Sequence, residues 1–289
     1  MNTTEPLLDI RDVIVEYPLK GFRRPPFQAL KEVSLDIRRG ECVGLVGESG
    51  SGKTTLGRAV LGLVPVTSGT IHYKNNDITA LSRKERRALA SEIQVVFQDP
   101  YTSLNPALTI EDILTEPLLA RRTPRKEAQQ RLRELLDQVH LPSNSGSRLP
   151  REFSGGQRQR VAIARALALD PELIVCDEPV SALDLSTQAR VLALFKEIQE
   201  RTGVSYLLVS HDLDVVRHLS HRVAVMYRGE IVEWGNGEQV TTRPEHPYTQ
   251  RLFLAAPVAD PKRQEQRRAE RARLTQAHQQ QNLQAGMVS

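Results

Sequence analysis

The stretch Gly47-Glu48-Ser49-Gly50-Ser51-Gly52-Lys53-Thr54 constrains this chain more than any other. An apolar run, Cys42 to Val46, precedes it, and a helix-like run, Thr55 to Leu63, follows. Strand, glycine-rich loop and helix in that order fill the pattern G-x-x-x-x-G-K-[ST] without a mismatch. The glycines reach backbone angles closed to other residues, so several N–H groups can point inward at phosphate oxygens. The helix start, with Thr55 just behind the motif, adds its partial positive charge. Lys53 can reach the β- and γ-phosphates, and the Thr54 hydroxyl can hold a magnesium ion. The stretch predicts binding of a nucleoside triphosphate.

A chain of 289 residues fits one large α/β domain or two small ones. With 39% hydrophobic and 26% charged residues it reads as a soluble globular protein with a real core. The net charge of +4 suits a nucleic acid, an anionic membrane face or neither. Cys42 and Cys176 both sit inside apolar, strand-like runs. They predict buried thiols in a reducing, cytoplasmic setting rather than a disulfide framework. Met1 to Asp9 lacks the basic start and apolar core of a signal peptide. No run approaches the ~18–20 apolar residues of a membrane span, so any work at a membrane is expected to go through partners.

Leu7 to Tyr17 and Ala29 to Ile37 read as strands, with partial apolar alternation. Between them Pro18 to Phe27, with Lys20, Arg23 and Arg24, reads as a basic surface loop. Tyr17 closes the first strand, either stacked on a nucleotide base or as a half-buried strand tyrosine. Gly69 to Tyr73 reads as a short strand ending in an Asn75-Asn76-Asp77 turn, and Ser82 to Ser91 as a charged helix. Ile93 to Phe97 is a strand that ends at Gln98, which can reach a bound metal or water, or can be an ordinary loop residue. From Pro100 to Pro150 strand signals vanish. Ile110 to Leu119 and Arg125 to Val139 read as helices, a second layer inserted into an α/β core.

Ser154-Gly155-Gly156-Gln157 precedes a helix, Val161 to Leu169. Ser154 is a good N-cap and the glycines allow close approach, so this is a second anion-binding helix start or simply a capped helix. Leu173 to Cys176 is a wholly apolar strand run followed by Asp177 and Glu178. An acid at that strand end can hold magnesium through water, and the next can orient and polarise an attacking water. Ser181-Ala182-Leu183-Asp184 forms a turn before a helix, Thr187 to Arg201. Val204 to Ser210 is a buried strand that delivers His211. Val223 to Tyr227 and Glu230 to Trp234 make a hairpin turning at Arg228-Gly229. Arg243 to Thr249 is a proline-bounded loop before a short helix, Gln250 to Ala256. From Pro261 the chain is rich in Arg and Gln and reads as a disordered or transiently helical tail.

This ordered set resembles the nucleotide-binding subunit of ABC transporters, from about Leu7 to about Pro257. Gly47 to Thr54 resembles the Walker A loop, Tyr17 the aromatic A-loop residue and Gln98 the Q-loop glutamine. Ser154 to Gln157 resembles the signature motif, with Phe153 where leucine is usual. Leu173 to Asp177 resembles Walker B, with Glu178 as catalytic glutamate. Ser181 to Asp184 resembles the D-loop, and His211 the switch histidine. The resemblance implies a P-loop NTPase core of the ABC ATPase type. It carries an antiparallel β subdomain, a helical subdomain at about 99–165 and a carboxyl-terminal extension at about 235–257, with 258–289 as the tail. It also implies ATP and Mg2+ as cofactors and a head-to-tail pair of ATPase subunits. ATP would lie between the Walker A loop of one and the Ser154–Gln157 segment of the other.

Pro244-Glu245-His246-Pro247-Tyr248-Thr249 resembles the extension found in ATPases of peptide and nickel importers, as do Phe97 to Pro100 and Ser103 to Pro106. The implied partners are a second, unlike ATPase subunit, two membrane permease subunits and an extracytoplasmic substrate-binding protein, with this chain peripheral on the cytoplasmic face. The tail lacks a cysteine cluster, so it resembles the F-type rather than the iron–sulfur member of such pairs. The expected function is ATP-driven uptake of peptides, with nickel or another small solute as the variant cargo. A soluble ABC-type ATPase acting on nucleic acid or ribosomes commonly has two cassettes or a long coiled-coil insert, and neither is present. The basic tail also lacks the interleaved aromatics of a nucleic-acid binder. A regulatory subunit that binds ATP without hydrolysing it is disfavoured by Glu178 and His211.

Overall fold

The computed structural model describes residues 5–19 and 25–255. The chain opens with β1 (Leu8–Tyr17), β2 (Phe27–Ile37), β3 (Cys42–Val46), α1 (Lys53–Val60), β4 (Ser68–Tyr73) and a two-residue β5 (Asn76–Asp77). Next come α2 (Arg83–Leu89), β6 (Ile93–Val96) and four helices: α3 (Pro100–Ser103), α4 (Ile110–Ala120), α5 (Arg125–Gln138) and α6 (Gly155–Leu167). It returns through β7 (Leu173–Asp177), α7 (Leu185–Thr202), β8 (Ser205–Ser210) and α8 (Leu213–Leu219). It closes with β9 (Arg222–Tyr227), β10 (Glu230–Asn236), α9 (Gly237–Thr242) and α10 (Pro247–Ala255).

The apolar runs stack in the middle of a six-stranded sheet ordered β10-β9-β3-β8-β7-β6. β9, β3, β8, β7 and β6 are mutually parallel, and β10 pairs antiparallel with β9. Successive side chains of a strand go to opposite faces. Cys42, Val46, Ile174, Cys176, Tyr206 and Leu208 enter the core beneath α4 to α8. Val43, Leu45, Val175, Leu207 and Val209 enter a second core against α1 and a four-stranded antiparallel sheet, β2-β1-β4-β5. With both faces covered, these strands need no polar alternation, which is why their sequences are unbroken apolar runs. Both cysteines are buried and free, and burial pushes the Cys42 thiol up to about 12.

An ion cluster ties the two sheets together. Arg222, at the start of β9, donates to both carboxylate oxygens of Asp36 on β2, at 3.0 and 2.7 Å, and to Glu41 at 2.5 and 2.7 Å. Its guanidinium also lies over the Trp234 ring, 4.6 Å from the centroid. The bond from Arg222 holds the Asp36 carboxyl below its ordinary range, against the opposing effect of burial. Asp36 therefore adds stability that is present above the unfolded carboxylate pKa and lost as pH falls through the lower folded value. Arg222→Ala strands Glu41, which is 8% exposed, and is expected to cost about 1–3 kcal/mol in urea denaturation. The acid-side loss of stability is expected to shrink with it.

Several boundaries differ from the sequence expectation. α1 begins at Lys53 and ends at Val60, so the motif lysine is already helical. The turn expected at Asn75-Asn76-Asp77 falls on Lys74 and Asn75, with φ of 49° and 64°, and Asn76–Asp77 pair back onto β4. α6 begins at Gly155, so the Ser154-Gly155-Gly156-Gln157 stretch is its cap and first turn. α10 begins at Pro247, inside the expected loop. α3, α8 and α9 have no counterpart in the sequence reading. The hairpin turn at Arg228-Gly229 is as expected, with φ of 50° and 87°. Lys20, Arg23 and Arg24 of the basic loop, the chain start at 1–4 and the tail at 258–289 lie outside the described residues.

Candidate active site

The central strands end level with one another. Val46 pairs with Ser210, and Asp177 with Val209. Gly47, His211 and Glu178 therefore leave the sheet along one edge, the carboxyl edge where open α/β sheets bind ligands. Gln98 follows β6, farther along the same sheet, and is exposed. β8 separates β7 from β3, so Asp177 is not on the strand beside the loop. It meets the loop through α1, where the Thr54 hydroxyl donates to its Oδ1 at 3.1 Å.

Neighbouring elements shape the loop. At Gly47, φ 153°, a Cβ would sit 2.1 Å from the Met226 carbonyl oxygen; at Gly52, φ 111°, it would sit 2.7 Å from that of Ala29. No side chain fits either place. The Gly229 N–H donates to the Ser51 carbonyl at 2.9 Å, and the Ser51 N–H to that of Glu48 at 3.2 Å. Glu48, Ser49 and Gly50 form the exposed rim. Lys53 is 5% exposed, and its Nζ donates to the carbonyls of Gly47 and Glu48, each at 2.8 Å. No side chain caps α1 at Gly52. The N–H groups of its first turn, Lys53, Thr54 and Thr55, have no intrahelical acceptor and suit an anion.

The charges here are poorly solvated. Burial lowers the Lys53 pKa against the opposing pull of Glu178, Asp177 and Glu48. Burial also raises that of Asp177, helped by Glu178 and opposed by the Thr54 hydrogen bond and by Arg58 and Lys53. A phosphate beside Lys53 and a cation beside Asp177 would relieve both. Among the described residues no group of three or more His, Cys, Asp and Glu could hold a metal. The hydroxyl–carboxylate pair Thr54–Asp177 instead offers two hard oxygens, which fits magnesium, since that ion takes few protein ligands and completes its shell with water and phosphate.

Glu178 follows directly in the left-handed region, φ 50°. Its N–H donates to the Val209 carbonyl at 2.9 Å, and its own carbonyl accepts from the Ser181 N–H at 3.3 Å and hydroxyl at 3.1 Å. Those bonds over-determine a strained backbone and aim the side chain. Its Oε1 lies 3.0 Å from Nδ1 of His211, and the two side chains are 18% and 57% exposed. A carboxylate and an imidazole thus meet at the strand edge.

Ser154 caps α6. Its hydroxyl accepts the Gln157 N–H at 3.3 Å, while Oε1 of Gln157 accepts the Ser154 N–H at 3.0 Å. A Cβ at Gly156 would meet Thr187 Cγ2 at 2.3 Å, so that glycine lets α6 pack against α7. Gly155 faces Leu183 and the Tyr101 hydroxyl. The capped-helix reading of this segment is observed. Asp184 caps α7, with Oδ1 accepting from the Ser186 hydroxyl at 2.7 Å and the Thr187 N–H at 3.0 Å, bonds that hold its carboxyl far below the usual range. Tyr17 ends β1 half-buried against the second core. The sequence reading placed Tyr248 in the importer-like Pro244–Thr249 stretch but not at the loop, where its hydroxyl accepts the Glu48 N–H at 3.0 Å; the local pattern holds no signal for a contact 200 residues away.

Comparison with known proteins agrees with this layout. The family model described as ABC transporter matches residues 30–181, and that described as oligopeptide/dipeptide transporter, C-terminal region, matches residues 232–283. A Brucella ovis protein provisionally named a peptide import ATP-binding protein is 48% identical over 260 residues, 90% of this chain and 81% of that one. The oligopeptide transport ATP-binding protein OppD of Mycobacterium tuberculosis is 50% identical over 82% of this chain, and the glutathione import ATP-binding protein GsiA of Pectobacterium atrosepticum is 47% identical over 90%. This chain spans only 39% and 43% of those two longer proteins. Among solved structures, cbiO1 from Clostridium perfringens, part of the ABC transporter complex cbiONQ, has a TM-score of 0.74 at 27% identity over 86% of this chain and 96% of that one. The ATP-binding cassette MJ0796, a dimer bound to ADP and Pi, has a TM-score of 0.70 at 32% identity over 79% and 98%. The phosphate loop, the acid-tipped strand and these matches make one conclusion: the chain belongs to the ABC transporter family and is one of its ATPases.

Proposed function

We propose that this chain hydrolyses ATP to drive the uptake of oligopeptides or dipeptides across the cytoplasmic membrane, as the ATPase subunit of an importer. The match of residues 232–283 to the oligopeptide/dipeptide transporter region carries the cargo class. The names of the relatives support it. Among the described residues no helix is long and apolar enough to cross a membrane. In the proposed assembly this chain sits on the cytoplasmic face with two permease subunits, a second, unlike ATPase subunit and an extracytoplasmic binding protein. We divide the chain into an ATPase domain at 1–257, with its helical insert at about 99–165 and extension at about 235–257, and a tail at 258–289.

In this reading Lys53 and the N–H groups from the loop to Thr55 bind the phosphates. Thr54 and Asp177 would hold magnesium, and Gln98, just after β6, would be its further protein ligand. The ion, when bound, neutralises charge on the β- and γ-phosphates. Glu178 accepts a proton from the water that attacks the γ-phosphorus, and the bond from that phosphorus to the bridging oxygen breaks. His211 keeps the Glu178 carboxylate turned toward that water. Tyr17 stacks on the base. Ser154 to Gln157 and Asp184 serve an ATP held by the second subunit, across a dimer, the state in which MJ0796 was solved with ADP and Pi.

Uptake tests the cargo. In cells lacking this gene, accumulation of a labelled oligopeptide or dipeptide is expected to be lost and to return with the wild-type chain. Nickel is followed in parallel. If peptide uptake does not depend on the gene, the importer reading for peptides fails; dependence of nickel alone moves the assignment to that ion.

A further inference from the structure

The carboxyl-terminal extension reaches back to the phosphate loop. Tyr248, in the first turn of α10, is buried, and its hydroxyl accepts the N–H of Glu48 at 3.0 Å. Its ring packs on Tyr227 of β9, with centroids 4.2 Å apart and planes tilted by 35°. The segment leading into α10 is pinned to β10. One Glu233 carboxylate accepts the N–H of Glu245 at 2.9 Å and that of His246 at 3.0 Å. His246 Nδ1 accepts the N–H of Tyr248 at 3.2 Å, and Gln250 Nε2 donates to the Pro244 carbonyl at 3.0 Å. The hydroxyl is thus positioned by the same hairpin whose Gly229 N–H holds the Ser51 carbonyl.

What Tyr248 holds is one peptide unit. The peptide between Gly47 and Glu48 is planar, with its C=O and N–H on opposite sides. Its N–H donates to Tyr248, and its carbonyl accepts from Lys53 Nζ at 2.8 Å. Turning that plane moves both. Burial pushes the Tyr248 hydroxyl up, so it stays a neutral acceptor across the physiological range.

We propose that Tyr248 is a positioning residue for ATP binding: through the Gly47–Glu48 peptide it fixes the Lys53 ammonium and couples the carboxyl-terminal extension to nucleotide occupancy. The proposal rests on the reading of Gly47 to Thr54 as the ATP site. It makes the extension part of the nucleotide site, and by linkage ATP binding stabilises α10 as much as α10 stabilises bound ATP.

The test uses the full chain with Tyr248→Phe, which keeps the ring and removes the hydroxyl. Tyr206→Phe is the control, because Tyr206 is also buried and donates its hydroxyl to the Phe195 carbonyl at 3.2 Å. Tyr248→Phe is expected to raise both Kd and KM for Mg-ATP about three- to tenfold, with kcat changed less than about twofold. Tyr206→Phe is expected to lower the melting temperature comparably without moving Kd. ATP is expected to protect the backbone N–H groups of α10 that follow Pro247 from hydrogen exchange in the wild type and not in Tyr248→Phe. An unchanged Kd in Tyr248→Phe, or an equal rise in Tyr206→Phe, overturns the proposal. A parallel Lys53→Ala titration separates the two levels. If that variant also binds ATP normally, the site assignment itself is wrong; if it binds weakly while Tyr248→Phe does not, only the role of Tyr248 falls.

Discussion

Glu178→Gln is expected to slow ATP turnover by about 10²- to 10⁴-fold while ATP affinity stays within about threefold of wild type. The two side chains have the same shape, so the substitution changes charge and proton affinity and little else. The backbone at Glu178 is fixed from both sides, by the Val209 carbonyl and by Ser181, so the amide occupies the carboxylate's place. His211 Nδ1 keeps an oxygen acceptor 3.0 Å away if the amide turns its oxygen toward it. What is lost is a group that can take a proton from water. Steady-state phosphate release gives the rate, and equilibrium titration gives the affinity. With chemistry stalled, ATP is expected to trap a dimer of this chain with its partner ATPase subunit on gel filtration. Adding Ser154→Arg, at the exposed cap of α6, is expected to abolish that dimer while each chain still binds ATP. Turnover within about twofold of wild type would remove Glu178 from the proton-transfer role.

Much of this site could be read before any coordinates, for a physical reason. Parallel strands buried on both faces appear as apolar runs, and the residue that ends each run sits at the carboxyl edge of the sheet. That logic brought Gly47, Asp177, Glu178 and His211 to one place. It did not supply the strand order: β8 lies between β3 and β7, and only the Thr54–Asp177 bond shows how the gap is crossed. Short helices were the main omission. α8 has seven residues and α9 six, too few turns for a 3.6-residue period to emerge. α1 read as starting late because Gly52-Lys53 has the composition of a loop. The Tyr248–Glu48 bond belongs to another class. It joins residues 200 apart through tertiary packing, and no local pattern encodes it.

Lys53→Ala is expected to weaken ATP binding about 10- to 100-fold, with the melting temperature of the nucleotide-free chain little changed. Charge-assisted hydrogen bonds to phosphate contribute about 1.5–3 kcal/mol, and each 1.4 kcal/mol is tenfold in affinity. Two opposing effects keep the empty protein's stability near its starting value. The Gly47 and Glu48 carbonyls lose a donor that sits 2.8 Å from each, but a buried ammonium no longer has to be desolvated. The pH profile separates this lysine from a merely structural one. Because burial lowers its pKa, the free protein loses the Lys53 charge at a lower pH than an ordinary lysine would. The charged form is the one that binds phosphate, so wild-type ATP affinity is expected to fall on the alkaline side before ordinary lysines titrate. Lys53→Ala, having no such proton to lose, is expected to bind weakly and without that decline. Titration of Mg-ATP across the neutral to alkaline range measures both. Equal affinity in the two proteins would mean that the phosphates are held elsewhere.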